Sequence, residues 1–242
     1  MDFGRAAGDY GSYRPAFAPR LFARLRDLGV GLAGQLILDV GAGTGLLGRG
    51  LSAGGVRVIE SDPSLELLRQ AESGARVVAA AEGLPFGDGA FDAVTAGQSW
   101  HWFDRHVAPR EIRRVLRPGG RVAVVYQTYL PLEGNVEWAS EREILKYRPG
   151  WRHAGGVGIN GQALKDLQSA GFLGIESFSF DVDVSFEREA WRGFVRTCSA
   201  VTSLSAAELA RFDAEHAAIL EAWPARFDVP HRVFAAVAAT PL

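Results

Sequence analysis

Gln35-Leu-Ile-Leu-Asp-Val-Gly-Ala-Gly-Thr-Gly45 is the stretch whose reading decides the fold. Gln35 to Val40 is an apolar run ending in glycine, the pattern of a strand buried on both faces. Three glycines follow at alternate positions, and Leu46 to Ala53 reads as a short helix. Glycines at a strand-to-helix turn permit positive φ and let a ligand approach the backbone. A dinucleotide fingerprint, G-x-G-x-x-G, needs glycine at the position that Leu46 occupies. With no Lys-Ser or Lys-Thr pair after the loop, a phosphate-cradling P-loop is excluded as well. An acid at the mouth of the loop, Asp39, repels a pyrophosphate and suits a cationic or zwitterionic ligand.

Outward from this loop, short apolar strands alternate with amphipathic helices. Val56–Glu60, Val77-Val78, Phe91–Ala96 and Arg121–Tyr126 read as strands. Ser64–Ser73 reads as a helix, and 105–117 as another with Ala108, Ile112, Val115 and Leu116 on one stripe. Arg117-Pro-Gly-Gly120 is expected to stop that helix. The alternation predicts an α/β fold, Rossmann-like and doubly wound, with a mostly parallel sheet covered by helices on both faces. Its ligand site should gather the residues just after 40, 60, 80 and 96. Asp62 falls where a ribose-binding carboxylate belongs, and also where a helix N-cap with Pro63 at the first helical position would stand.

The second half is less regular. Residues 127–160 carry Tyr129, Trp138, Tyr147 and Trp151 among prolines and glycines and read as an irregular, cap-like insertion. Gly161–Ala170 reads as a helix, Ile175–Val182 and Val233–Ala239 as strands, and Ser205-Ala-Ala-Glu208 as a capping box. Of the helix it opens, Leu209, Phe212, His216, Ile219 and Trp223 share a face.

The chain has 242 residues, a formal charge of −2, one cysteine and one methionine. A single Cys198 leaves no intramolecular disulfide framework and no cysteine-based zinc cluster. The near-neutral balance disfavours a general nucleic-acid binder. Asp2 and Arg5 interrupt the apolar run a signal peptide needs, and no stretch is long and apolar enough to span a bilayer, so a cytoplasmic protein without a membrane partner is expected. His106, His153 and His231 show no ligand spacing, so no metal is expected.

Ile37–Gly45, Asp62-Pro-Ser64, Ala81-Glu-Gly-Leu-Pro-Phe86, Phe91-Asp92 and Leu116–Gly120, in this order, resemble the class I S-adenosylmethionine-dependent methyltransferases of the type 11 group, which includes trans-aconitate and quinone-biosynthesis methyltransferases. The resemblance covers residues 1 to about 126. It implies a seven-stranded sheet in a single domain: N-terminal lid helices over 1–30, a cofactor-binding core over 31–126, the cap over 127–160, and C-terminal helices and last strands over 161–242. Tyr10-Gly-Ser-Tyr-Arg-Pro15 resembles the lid and Trp100-His-Trp-Phe103 the His-Trp signature after the fourth strand.

Carried over by position, Asp39, Gly41, Ala42, Gly43 and Gly45 would wrap the methionine end of S-adenosyl-L-methionine, and Asp62 with Pro63 would hold the ribose. Ala81 and Glu82 would face the adenine, although Ala80 stands where many relatives have an aspartate for the adenine amino group. Gln98 would line the site through its backbone, and Arg14 beside Tyr13 could reach the cofactor carboxylate or sit on the surface. His101 is the candidate catalytic residue, as general base or hydrogen-bond donor, against a reading in which Trp100, His101 and Trp102 form a pocket ledge. Arg110, Arg113, Arg114 and Arg117 read as the solvated side of a helix, His216 as a core residue and Cys198 as a buried thiol.

The expected reaction is methyl transfer by in-line displacement to a small-molecule acceptor, most readily at oxygen. A nucleotide-dependent oxidoreductase on the same kind of sheet and a non-catalytic S-adenosylmethionine-binding module are the alternatives. An RNA methyltransferase would need a local basic surface that the charge total does not promise.

Overall fold

The computed structural model describes residues 11–72 and 74–242. Of the stretch expected as a lid, residues 1–10, Tyr10 among them, lie outside the described residues. The chain divides into two compact units. The first, the sheet unit, comprises Ala16–Gln127, Ile159–Phe180 and Val233–Leu242. The second, the helical unit, comprises the described residues up to Pro15, Thr128–Gly158 and Asp181–Arg232. The stretch expected as a cap is therefore not a unit by itself, since 128–158 fold with 181–232.

In the sheet unit, α1 (Pro19–Asp27) precedes β1 (Leu36–Val40), α2 (Leu46–Ser52), β2 (Arg57–Asp62), α3 (Leu65–Leu68), β3 (Ala75–Val78) and β4 (Phe91–Gly97). A 3-10 turn (Trp100–Trp102), α4 (Ala108–Val115) and β5 (Leu116–Tyr129) follow. The helical unit contributes α5 (Val136–Tyr147), α7 (Arg188–Arg196), α8 (Ser199–Thr202) and α9 (Ala206–Leu220), and α6 (Gly161–Ser169) returns to the sheet unit. The last two strands are β6 (Leu173–Glu187) and β7 (Arg226–Ala239). Seven strands make one sheet in the order β3-β2-β1-β4-β5-β7-β6.

The first five strands are parallel, with β1 between β2 and β4 in the centre. β7 runs against β5: Gly119 bonds Pro241, Thr240 bonds Gly120 and Leu130 bonds Pro230, so one number falls as the other rises. The mostly parallel, doubly wound sheet expected from the strand–helix alternation is the one observed. Its switch point lies between β1 and β4, where strand order reverses, so the carboxyl ends of these strands open a ligand crevice. Ile37, Leu38 and Val40 are fully buried, as a strand covered on both faces requires; each such burial stabilises by roughly 1.5–3 kcal/mol.

Several boundaries differ from expectation. The helix expected over 64–73 is a single turn, because the Gln70 and Ala71 amides bond three residues back and tighten it. Gly74 then runs so close to the Val58 carbonyl that a Cβ would lie 2.1 Å from its oxygen. The helix expected over 105–117 covers only Ala108–Val115. Leu116 already belongs to β5, and Arg117–Gly120 form an irregularity within that strand, opposite the step from Phe91 to Ala93, not a loop that ends a helix. Thr240 secures it, its Oγ1 donating to the Arg117 carbonyl at 2.7 Å.

In the stretch expected to be irregular, Asn135 caps α5 by accepting from the Trp138 amide at 2.9 Å. Strands β6 and β7 extend well beyond the apolar runs that suggested them, and α7 went unread although Trp191, Phe194 and Val195 recur at helical spacing and are buried. The helical unit packs its core around Tyr129, Phe186, Trp191, Phe194 and Phe212. The capping box at Ser205 and Glu208 forms as expected.

Candidate cofactor site

The glycine loop at the end of β1 sits at the switch point, and its three glycines have φ of +65°, +58° and +75°. The space beside each of the three differs. A Cβ on Gly41 would lie 2.5 Å from Ser99 Cβ and 3.2 Å from the Phe103 ring, so this glycine lets the Ser99–Phe103 turn press onto the loop. A Cβ on Gly45 would lie 2.5 Å from Glu60 Oε1 and 2.9 Å from Ala71. At Gly43 nothing lies within 4 Å, so the loop presents bare backbone to open space there. Ala42 anchors the loop, its amide donating to the Ser61 carbonyl at 3.0 Å.

Asp62, 7% exposed at the end of β2, accepts from the Gly43 amide at 2.9 Å and from the Ser64 amide at 2.8 Å. Ser64, not Asp62, caps α3, with Pro63 exposed just before it. Each Asp62 oxygen keeps lone-pair capacity beyond these bonds, which a vicinal diol can use. Burial raises the Asp62 pKa, and the two amides oppose the rise.

Asp39 is 1% exposed and lies beneath the loop, not at its mouth. Its Oδ1 accepts from Thr95 Oγ1 at 2.7 Å, while Oδ2 has no hydrogen-bond partner among the described residues. Burial pushes its pKa up to about 7; the Thr95 bond opposes this, and the charges of Glu60 and Asp62 add to it. The charge that disfavours a pyrophosphate is thus a buried group of three acids behind the loop.

The end of β4 supplies the facing wall. Gln98 has φ +59°, the one positive value on a described non-glycine residue, and such strain of roughly 1–3 kcal/mol persists only where surroundings enforce it. The Gln98 amide donates to Val125 O at 2.8 Å, and its side chain donates to the Gln127 carbonyl. Gln127 in turn accepts from the Ala18 amide at 2.9 Å and donates to the Ala16 carbonyl at 3.1 Å, tying down the chain before α1. Ser99 is buried and donates to the Val40 carbonyl at 2.9 Å. In the turn that follows, Trp100 is a core residue whose Nε1 donates to Asp166 at 3.1 Å, whereas His101 is exposed and Trp102 is 46% exposed. His101 and Trp102, rings 4.6 Å apart, are thus the exposed pair of this turn, and Trp100 is not.

Ala81 is buried, and Glu82 Oε1 accepts from the Asp104 amide at 2.7 Å. Helix α4 holds this loop through residues expected to be merely solvated. Arg114 donates to the Leu84 and Phe86 carbonyls and pairs with Glu111 and Asp88, while Glu111 accepts from the Leu84 amide. Arg117 pairs with Asp92 and Arg113 donates to the Ala170 carbonyl. Arginine and glutamate at i and i+3 carried the signal, but its target, a carbonyl pair in a distant loop, is invisible to periodicity.

Tyr13 and Arg14 fold in the helical unit. Tyr13 lies against the bare backbone of Gly193, where a Cβ would come within 2.1 Å of the ring. Arg14 donates to Thr197 Oγ1 at 2.8 Å and stacks over Phe194. Cys198 is buried and its thiol pKa is raised by that burial, so it is an inert core group. His216 is fully buried, as expected of a core histidine. Among the described residues, no group of three or more His, Cys, Asp or Glu could hold a metal ion, and no helix is long and apolar enough to cross a membrane.

The bare Gly43 backbone facing open space, the diol-competent Asp62 beside it and the acidic ground beneath fit a ligand with a ribose and a cationic end. Residues 38–124 match the family model described as a methyltransferase domain. An uncharacterized methyltransferase of Mycobacterium tuberculosis is 39% identical over 132 residues, 53% of each chain. A malonyl-[acyl-carrier protein] O-methyltransferase of Pseudescherichia vulneris is 36% identical over 126 residues, 50% of each. This chain spans about half the length of the curated relatives it matches. Among solved structures, a putative type II methyltransferase of Anaeromyxobacter dehalogenans superimposes with a TM-score of 0.67 at 25% identity, over 95% of this chain and 98% of that one. The glycine loop, the strand order and these likenesses agree: over residues 38–124 the chain carries the methyltransferase domain of the class I S-adenosylmethionine-dependent methyltransferases, type 11 group.

Proposed function

We propose that this protein transfers a methyl group from S-adenosyl-L-methionine to an oxygen of a small molecule. The observation that carries this reading is Gly43, bare and open beside the buried carboxylate of Asp62. Gly41, Ala42, Gly43 and Gly45 hold the methionine end, with Asp39 contributing charge from beneath. Asp62 and Pro63 hold the ribose side, and Ala81 and Glu82 the adenine side. Gln98 fixes the wall opposite. When bound, the cofactor supplies a methyl on positively charged sulfur, so the leaving group arrives already activated. The chain's task is then alignment and exclusion of water, of which alignment alone can supply up to about 7–11 kcal/mol. His101 and Trp102 flank the acceptor, one polar and one apolar.

Transfer to oxygen is supported by the relative whose printed name is an O-methyltransferase. We assign the reaction to the cytoplasm, in keeping with a single buried thiol and no disulfide. The oxidoreductase reading is disfavoured, because Asp39, Glu60 and Asp62 gather acidic groups behind the loop that a pyrophosphate would have to face.

Titration with S-adenosylhomocysteine, followed by thermal shift and calorimetry, tests the assignment. At 100 times Kd the ligand should stabilise by about 2.7 kcal/mol, a rise of roughly 5–10 °C, and Asp62→Ala should lose most of it. No shift at saturating ligand, or stabilisation by NADH instead, would sink it. Ligand binding without turnover on any acceptor would leave only the binding-module reading.

A further inference from the structure

Strand β4 ends at Gly97, whereas its neighbour β5 runs on to Tyr129. The Gln98 amide still follows the ladder, donating to the Val125 carbonyl at 2.8 Å. The next acceptor along that edge of β5 is the Gln127 carbonyl, two residues on. By then the chain has turned away at Gln98, where φ is +59°. The Gln98 side chain takes the place of the missing strand amide and donates to the Gln127 carbonyl. Gln127 repeats the device. Its side chain is buried, accepts from the Ala18 amide at 2.9 Å and donates to the Ala16 carbonyl at 3.1 Å. A backbone amide only donates and a carbonyl only accepts, so these partners fix which end of the carboxamide is which. Phe17, between the two clamped residues, is buried, and its ring lies 3.4 Å from where a Gly97 Cβ would stand. Leu47, in the first turn of α2, lies 3.0 Å from the same point.

The direction in which the chain leaves Gln98 decides where Ser99 arrives, and Ser99 is the residue pressed onto Gly41 of the glycine loop. The left-handed conformation at Gln98 is strained, so it persists only while its surroundings hold it. We propose that Gln127 is a positioning residue for the cofactor: it holds Gln98 in that conformation and so sets the wall facing the glycine loop, without touching the ligand itself. Without the clamp Gln98 relaxes, and ligand binding has to restore the strained form. Ala16 and Gln127 are also the first and last residues of one segment of the sheet unit. One side chain thus ties the point where the chain enters that unit to the point where it leaves. This inference rests on the methyltransferase reading of the site.

Glycine adopts positive φ without strain, and this separates backbone conformation from side-chain contact. S-adenosylhomocysteine affinity is read by calorimetry, with a melting curve for every variant. Gln98→Ala keeps the strain and loses the bond to Gln127, and should bind roughly tenfold more weakly than wild type. Gln98→Gly loses the same bond without the strain and should recover most of that loss. Gln127→Leu should weaken binding roughly tenfold on the wild-type background, but by less than about twofold when added to Gln98→Gly. Gln127→Glu, isosteric and without the donor for Ala16, gives the same comparison with a smaller loss, and serves if the leucine variant does not fold. Glycine no better than alanine at 98 would overturn the inference. So would a Gln127→Leu variant that binds as tightly as wild type, or one whose loss is as large on the Gln98→Gly background. If the wild type fails to bind S-adenosylhomocysteine, the underlying reading falls, and melting alone judges the clamp. Gln127→Leu should then lower Tm less on the Gln98→Gly background than on wild type, and equal losses would overturn it.

Discussion

Replacing Gly43 with alanine separates ligand recognition from folding. The residue has φ +58°, and the site of the added methyl has no neighbour within 4 Å. The substitution therefore meets backbone strain alone, about 1–2 kcal/mol for a non-glycine residue in the left-handed region. For a chain of this length that corresponds to roughly 2–8 °C in Tm. The methyl, however, projects into the space assigned to the cofactor, where close approach to the backbone is the reason for glycine. Gly43→Ala should thus stay folded and lose at least about tenfold in S-adenosylhomocysteine affinity, measured by calorimetry beside a melting curve. Gly45→Ala is the control: its methyl would lie 2.5 Å from Glu60 Oε1, so overpacking of roughly 1–3 kcal/mol adds to the strain and folding itself should suffer. If Gly43→Ala melts lower but binds as tightly as wild type, the open space at Gly43 is not cofactor space and the site has been placed on the wrong side of the loop.

Further outcomes follow from the buried polar groups. Asp39 has its folded pKa raised to about 7, so the stability tied to its protonated form is full below pH 4 and is lost as pH rises through 7. Asp39→Asn should flatten the stability profile between about pH 4 and 7, with a ceiling of about 4 kcal/mol in the difference, read from urea unfolding at each pH; parallel profiles would show that burial does not govern this carboxyl. In the helical unit, Ser140 Oγ donates to the Val136 carbonyl, accepts from Trp191 Nε1 at 2.9 Å and lies 2.9 Å from His216 Nε2. Ser140→Ala orphans two buried donors and should destabilise by about 2–4 kcal/mol in denaturant titration, an effect absent if water replaces the hydroxyl. Arg114→Met removes the bonds to the Leu84 and Phe86 carbonyls from a side chain about a third exposed. A loss of about 1–2 kcal/mol is expected, together with faster amide exchange over 84–88, and unchanged exchange would show that the loop holds itself.

Sequence alone determined the sheet unit, because its signals are local. An apolar run of strand length, glycines at alternate positions and an acid at the next strand's end each leave a mark within a few residues. Gly41, Gly43, Gly45 and Asp62 could be singled out on that ground. The different duties of the three glycines could not, since they depend on Ser99, Glu60 and Ala71 arriving from other strands and helices. Asp39 was legible as an acid but not as a buried one, because a strand's last residues may face solvent or core according to what covers them. Tertiary structure alone decided the partners of Arg114, the Tyr126 phenol beside His101, and the joining of 128–158 with 181–232 into one unit. These are contacts between groups far apart in the chain, held by hydrogen bonds and aromatic packing that have no period. The half of the chain that binds a cofactor announces itself in sequence because backbone geometry dictates its residues. The details that choose an acceptor rest on which side chains the fold brings together.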